Sequence, residues 1–179
     1  MTARKRGNSL ERTLRLSPRH QLFFDLACHM PEVNTTSVGT YLLFALVARE
    51  VFDIQQAFFD RFELSEGKFV VLLLLRQAPR YRLTPSALAE AAGVTRGTMT
   101  GLLAGLERSG LVKRTEHPED GRKFSIELTR QALDLFEQVL PERFKHIEEF
   151  MPSLIEEEQH QLRTLLEKIN RGLPALTTS

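Results

Sequence analysis

Two groups of side chains in this 179-residue chain are suited to gripping a polyanion. The first lies in Thr95-Arg96-Gly97-Thr98-Met99-Thr100. At about 100° per residue, a helix through it presents Gly97, Thr100, Gly101, Ala104 and Arg108 on one shallow face, with Arg96 and Thr98 on the flanks. Glycine inside a helix costs roughly 0.5–1 kcal/mol relative to alanine. Glycines at 97, 101 and 105 therefore point to close approach of another surface rather than to stability. A major groove about 12 Å wide admits a helix, and a shallow face lets its first turn reach base edges and phosphates. The alternative is that Gly101 and Gly105 permit tight helix–helix packing. The second group is Arg122-Lys123, just beyond His117-Pro118-Glu119-Asp120-Gly121, which reads as a turn of the Asp-Gly kind. Arginine on a narrow hairpin suits a minor groove, where it reads width and potential. Taken alone, the same residues would read as a solvated surface hairpin.

Other chemistries find little support. His20, His29, His117, His146 and His160 form no His-x-x-x-His pair and no metal-ligand spacing with cysteine. There is no Gly-x-Ser-x-Gly element and no phosphate-cradling glycine loop. Glu148-Glu149 and Glu156-Glu157-Glu158 read as solvated helix faces rather than acid–base pairs. An enzyme, a cofactor and a metal site are accordingly not expected. Cys28, the single cysteine, is expected to be a buried structural residue on an apolar helix, a redox-sensing thiol being the alternative.

The elements that must position the two basic groups are marked by local signals. Thr84-Pro85 is an N-cap followed by proline at the first helical position, and a short helix from Ser86 to Ala91 follows. Ala92-Gly93-Val94 breaks it, because glycine takes the left-handed geometry of a sharp turn. Thr95 caps the next helix, whose Met99, Leu102, Leu103 and Leu106 form a buried stripe. Gly110 ends that helix. Leu111 to Thr115 and Phe124 to Leu128 then read as the paired strands of a basic hairpin. This is the layout of a winged helix-turn-helix.

Leu64-Ser65 before a leucine-rich helix, Leu88-Ala89-Glu90, Val94 to Thr100, Leu106 to Val112 and Asp120-Gly121-Arg122 together resemble the MarR family of bacterial transcription regulators, from about Tyr41 to Leu173. The resemblance implies a homodimer, a helical dimerisation region built from both ends of the chain, and a winged DNA-binding lobe in each subunit. It places the recognition helix on Thr95 to Glu107, with Arg96, Thr98 and Thr100 carrying most direct readout. It places the wing's Asp-x-Arg on Asp120 and Arg122, the aspartate and Gly121 shaping the wing and the arginine entering the minor groove. The chain departs from the family at Gly101 and Gly105, where many members carry arginine or another long polar residue. Members often take phenolic or aromatic acids, for which Tyr41, Phe44 and Arg49 are the conceivable contributors here. The alternative for these three is interface and core.

The expected fold is mainly α with a small β-hairpin wing. A winged helix-turn-helix lobe over 63–128 joins a dimerisation region over 41–62 and 129–173, behind a basic arm and short helix over 1–40. The net charge of +1 is unevenly spread, with +5 in residues 1–20, +4 in 76–130 and −4 in 131–179. Phosphate attraction is thereby concentrated on the arm and the wing. From Tyr41 to Phe62 little polar surface remains, and such a helix needs burial on most sides. The run Phe69 to Leu75 falls far short of the roughly 20 apolar residues that span a bilayer. Pro141 is expected to kink a helix capped by Thr129, and Pro152-Ser153 to start the last helix. No apolar run long enough for a signal peptide follows Met1, which points to the cytoplasm; an organelle transit peptide is the other reading of the arginine-rich leader. The expected partners are double-stranded DNA bearing a near-palindromic operator, a second copy of the chain and a small-molecule effector, with no membrane. A winged-helix interaction module without an effector is the rival reading, which the basic Arg122-Lys123 opposes.

Overall fold

Small polar side chains and prolines set most helix starts. The structure, a computed structural model, describes residues 18–117 and 120–177, without the side chains of 117 and 120–123. Pro18 opens α1 (Pro18–Cys28), where its fixed φ suits the first turn. The Asn34 side chain accepts the Ser37 amide at 3.1 Å and starts α2 (Thr35–Asp60), ahead of the Tyr41 start expected from apolar content. The Ser65 hydroxyl accepts the Lys68 amide at the head of α3 (Glu66–Gln77). Thr84, Thr95 and Thr129 cap α4 (Pro85–Ala91), α5 (Arg96–Arg108) and α6 (Arg130–Phe150), each accepting an amide three residues on. The last helix, α7 (Glu156–Gly172), has no hydroxyl cap and begins after a 3-10 turn over Met151–Ser153, later than Pro152-Ser153 suggests. Its start is set instead by the Glu158 carboxylate, which accepts the Ile155 amide at 3.0 Å, and by three glutamates in the first turn, where the helix dipole favours negative charge. Pro141 lies inside α6, which continues through it.

The chain divides into two compact units between Val70 and Val71, within α3. In the first unit α1 packs on α2, and Phe24, Leu42, Phe58, Phe59, Leu64 and Phe69 are buried. Phe59 lies 4.7 Å from Phe69 between ring centroids and meets Phe58 edge-on at 5.5 Å. Cys28 is exposed at the end of α1, not buried, because the inward positions of that helix are Phe24 and Ala27.

In the second unit a three-stranded antiparallel sheet, ordered β1-β3-β2, carries the wing. Val112–His117 is β2 and Asp120–Leu128 is β3, both running further toward the hairpin's end than the Leu111 to Thr115 and Phe124 to Leu128 runs expected from sequence alternation. The added strand, β1 (Arg82–Leu83), pairs Arg82 with Glu127 and Leu83 with Ile126. His117 pairs with Asp120, so Asp120 and Gly121 open β3 instead of forming the connection between the strands. Val71, Leu72, Leu75, Leu88, Met99, Leu106, Ile126, Ala132 and Val139 are among the most deeply buried side chains of this unit. Two glycines shape its joints, with φ of 64° at Gly93 between α4 and α5 and 70° at Gly110 between α5 and β2. Both lie in the left-handed region that side chains disfavour. The Thr129 hydroxyl donates to the Gly110 carbonyl at 2.7 Å and ties the start of α6 to that second joint.

Candidate nucleic-acid interface

The structure places Thr95, Arg96, Gly97, Thr98, Thr100 and Gly101 together on the exposed side of α5, while Met99, Leu103 and Leu106 face the core. The three glycines do not share one role. A Cβ at Gly101 would meet nothing within 4 Å, and one at Gly97 only the Thr95 hydroxyl at 3.8 Å. Neither is required by packing within the described chain. Gly105, by contrast, is buried, so it lies off the open face and belongs to the inner side of the helix.

The hydroxyls on this face are already partly engaged. Thr95 Oγ1 accepts the Thr98 amide at 3.1 Å and lies 2.9 Å from Thr98 Oγ1. Thr100 Oγ1 donates to the Arg96 carbonyl at 2.9 Å. A hydroxyl whose proton is spent on the backbone still accepts hydrogen bonds, and its methyl group still suits the thymine methyl. Arg96 is different: among the described residues its guanidinium meets no carboxylate. Such a guanidinium is the group on this face best suited to a guanine edge or a phosphate.

The basic residues of the sheet divide in the same way. Glu127 of β3 holds Arg82 at 2.7 Å and Lys113 at 3.4 Å. Arg114 is bound by Glu107 of α5 and stacks on Phe124. Arg122 and Lys123 continue β3 toward the hairpin's end, as do Asp120 and Gly121; the side chains of all four lie outside the described residues.

The chain also resembles known proteins over most of its length. The model of the MarR family matches residues 64–124, from the approach to α3 through the wing. The HTH-type transcriptional repressor YetL of Bacillus subtilis is 36% identical over 149 residues, which cover 83% of this chain and 89% of YetL. The chain belongs to the MarR family. It is a DNA-binding transcription regulator and not an enzyme. The HTH-type transcriptional regulator PecS of Dickeya dadantii is 31% identical over 117 residues, 64% of this chain and 70% of PecS. Among solved structures, the MarR family regulator Sco3205 of Streptomyces coelicolor, determined in complex with DNA, has the same fold: TM-score 0.64, 24% identity, covering 75% of this chain and 88% of that one. AbsC, a MarR family regulator of the same organism, aligns with a TM-score of 0.68 at 20% identity over 82% of this chain and 99% of its own.

Of the conceivable effector contacts, Tyr41 and Phe44 lie one turn apart on α2. Arg49 is about 140° further round the helix than Phe44 and is engaged with Asp53 through bonds of 3.1 and 3.0 Å. A different recess, which sequence alone did not suggest, lies within the second unit. It has a volume of about 320 Å³ and is lined by Arg76, Tyr81, Arg130, Leu133, Phe136, Glu137, Leu140 and Pro141. The Arg76 guanidinium sits 5.3 Å from the Tyr81 ring centroid and donates to the Tyr81 hydroxyl at 3.4 Å. Arg80 and Tyr81 both have φ near 56°. Non-glycine residues in this conformation cost of order 1–3 kcal/mol each and cluster at functional sites. Among the described residues no cluster fit to hold a metal ion occurs, and no helix is long and apolar enough to cross a membrane.

Proposed function

We propose that the protein is a homodimeric repressor that binds a near-palindromic operator and is released by a small acid with an apolar body. In this reading Thr95, Arg96, Thr98 and Thr100 of each recognition helix meet the major groove. Arg122 and Lys123 of each wing meet the minor groove and its phosphates, with Asp120 and Gly121 shaping the wing. Residues 63–128 form the DNA-binding lobe, 41–62 and 129–173 the dimerisation region, and 1–40 a basic arm. The regulator works in the cytoplasm. The observation that carries the proposal is the outward face of α5, which is exposed and shallow at Gly97 and Gly101 and bears Arg96, a cation that meets no carboxylate among the described residues. The name of YetL as a repressor supports the sign of regulation.

Dimerisation is supported by apolar side chains that a single copy leaves exposed, among them Val47, Phe52 and Ile54 on α2 and Leu162, Leu165 and Ile169 on α7. The effector is supported by the recess at Tyr81, whose volume lies at the lower end of the range for small-molecule sites. Arg76 and Tyr41, Phe44 and Arg49 are its two candidate sets of contacts. Release that is lost in Arg76→Ala and kept in Arg49→Ala assigns the recess; the reverse assigns α2.

The test is a salt-dependent titration of the purified protein against its own upstream DNA and a scrambled duplex. Tight binding to the upstream duplex that weakens steeply with salt is the expected result. Equal, weak binding to both duplexes overturns the assignment of an upstream operator.

A further inference from the structure

Arg114 touches three elements at once. From β2, its Nε and Nη2 donate to the two carboxylate oxygens of Glu107 on α5, at 2.5 and 3.2 Å. Its guanidinium carbon also lies 4.7 Å from the ring centroid of Phe124 on β3. One planar cation is therefore clamped between the recognition helix and both strands of the wing. The backbone link is short and left-handed: α5 ends at Arg108, Gly110 has φ of 70°, and β2 starts at Val112. β1 pairs with β3 at Glu127 and Ile126 and Thr129 ties Gly110, so the base of the hairpin is held, while the outer strands beyond Arg114 and Ile126 keep freedom to pivot unless a further tie stops it. The fork-on-fork geometry of arginine and carboxylate supplies such a tie, because two parallel bonds fix orientation as well as distance.

As a source of stability the pair is unremarkable. Arg114 is about half exposed (52%), and exposed ion pairs contribute about 0–1 kcal/mol. Its consequence is geometric. Arg114 to His117 spans about 10 Å at roughly 3.3 Å per residue, so a pivot of about 15° carries the strand end about 2.5 Å. That exceeds the tolerance of a hydrogen bond, whose length varies by about 0.5 Å.

We propose that Glu107, Arg114 and Phe124 form a strut that fixes the angle between recognition helix and wing, making Arg114 a positioning residue for DNA binding and not a phosphate contact. The proposal rests on the wing contact of Arg122 given above. It also carries an unusual sign. Glu107 is an anion on the DNA-binding lobe, and removing it should by charge alone strengthen attraction to phosphates. The strut requires the opposite.

The test uses the full-length protein and a fluorescein-labelled duplex of its upstream DNA, with binding read by anisotropy over a salt series. Glu107→Gln is expected to weaken binding about tenfold, and Arg114→Lys, which keeps the charge but loses the fork, to weaken it as much as Arg114→Ala. Arg122→Ala is expected to cost about tenfold in the natural background and under about twofold beside Glu107→Gln, because a misplaced wing has no contact left to lose. Melting curves of each variant show that it remains folded. Unchanged or tighter binding in Glu107→Gln, or near-natural binding in Arg114→Lys with a salt slope lowered only in Arg114→Ala, would make Arg114 a phosphate ligand and overturn the strut. An Arg122→Ala penalty equal in both backgrounds also overturns it. No penalty for Arg122→Ala in either background overturns the wing contact itself, and the strut with it.

Discussion

Arg96 and Arg114 are both arginines of the winged lobe, yet their surroundings differ and support the opposite roles proposed for them. Arg96 meets no carboxylate among the described residues, whereas Arg114 is held by Glu107 and stacked on Phe124. Counting basic residues therefore overstates the charge available to DNA, since Arg82 and Lys113 are likewise drawn to Glu127. The contacts proposed for the wing are therefore Arg122 and Lys123. Replacing Arg122 with alanine is expected to weaken operator binding by about 1–3 kcal/mol, more on the operator than on scrambled DNA. Replacing Lys123 is expected to weaken both equally and flatten the salt slope by about one unit. Anisotropy titrations at several salt concentrations separate the two. Thr95 has a structural duty as well, since its hydroxyl caps α5. Thr95→Ala is expected to lose about 1 kcal/mol of stability, read from the shift of the urea midpoint at unchanged slope.

At the scale of elements, α5 carries a glycine that packing within the described residues does not require. A Cβ at Gly101 would meet nothing, so Gly101→Ala is expected to stabilise the protein by about 0.5–1 kcal/mol. The same methyl group would stand between the helix and DNA, so operator affinity is expected to fall. Urea unfolding and anisotropy on one preparation check both signs; gain without loss would remove close approach as the reason for this glycine. Much of this element was legible in sequence because its determinants are local. Thr84-Pro85, Thr95 and Thr129 mark helix starts, and Gly93 and Gly110 mark the two left-handed joints. Long-range features were not legible. The two-residue β1 exists only because β3 pairs with it, and no periodicity is visible in so short a run. Spacing alone put Gly105 with Gly97 and Gly101, but the surroundings that bury it come from elsewhere in the fold. Glu107 and Arg114 face each other only after Gly110 turns the chain back. The recess at Tyr81 combines α3, the turn before β1 and α6, and its left-handed Arg80-Tyr81 pair carries no glycine or asparagine to announce it.

For the whole molecule, the exposed apolar side chains and the DNA-binding face set a joint requirement. A soluble chain seldom leaves a helix such as α7 with Leu162, Leu165, Leu166 and Ile169 all open to water, and a second copy related by two-fold symmetry would cover such surfaces in pairs. The same symmetry would present two copies of α5 to one face of the duplex, with half-sites about one helical turn, or 34–36 Å, apart or a multiple of it. Sedimentation is expected to show a dimer, and Leu165→Glu, which introduces a charge on the apolar side of α7, to shift it toward monomer. Monomeric variants would keep the salt-dependent attraction of one lobe but lose the steep preference for the operator. The operator itself offers the sharper test, because it leaves the protein unchanged. Inserting about half a helical turn, roughly 5 base pairs, between the half-sites turns one of them to the far side of the duplex, whereas a full turn of about 10 base pairs restores its facing. Affinity is expected to collapse toward the scrambled value with the first insertion. Partial recovery with the second would show lobes with enough freedom to follow the longer span, and no recovery would show a dimer rigid enough to accept only one spacing. Equal affinity for all three duplexes would mean that a single recognition helix suffices, and would sink the two-lobe mechanism.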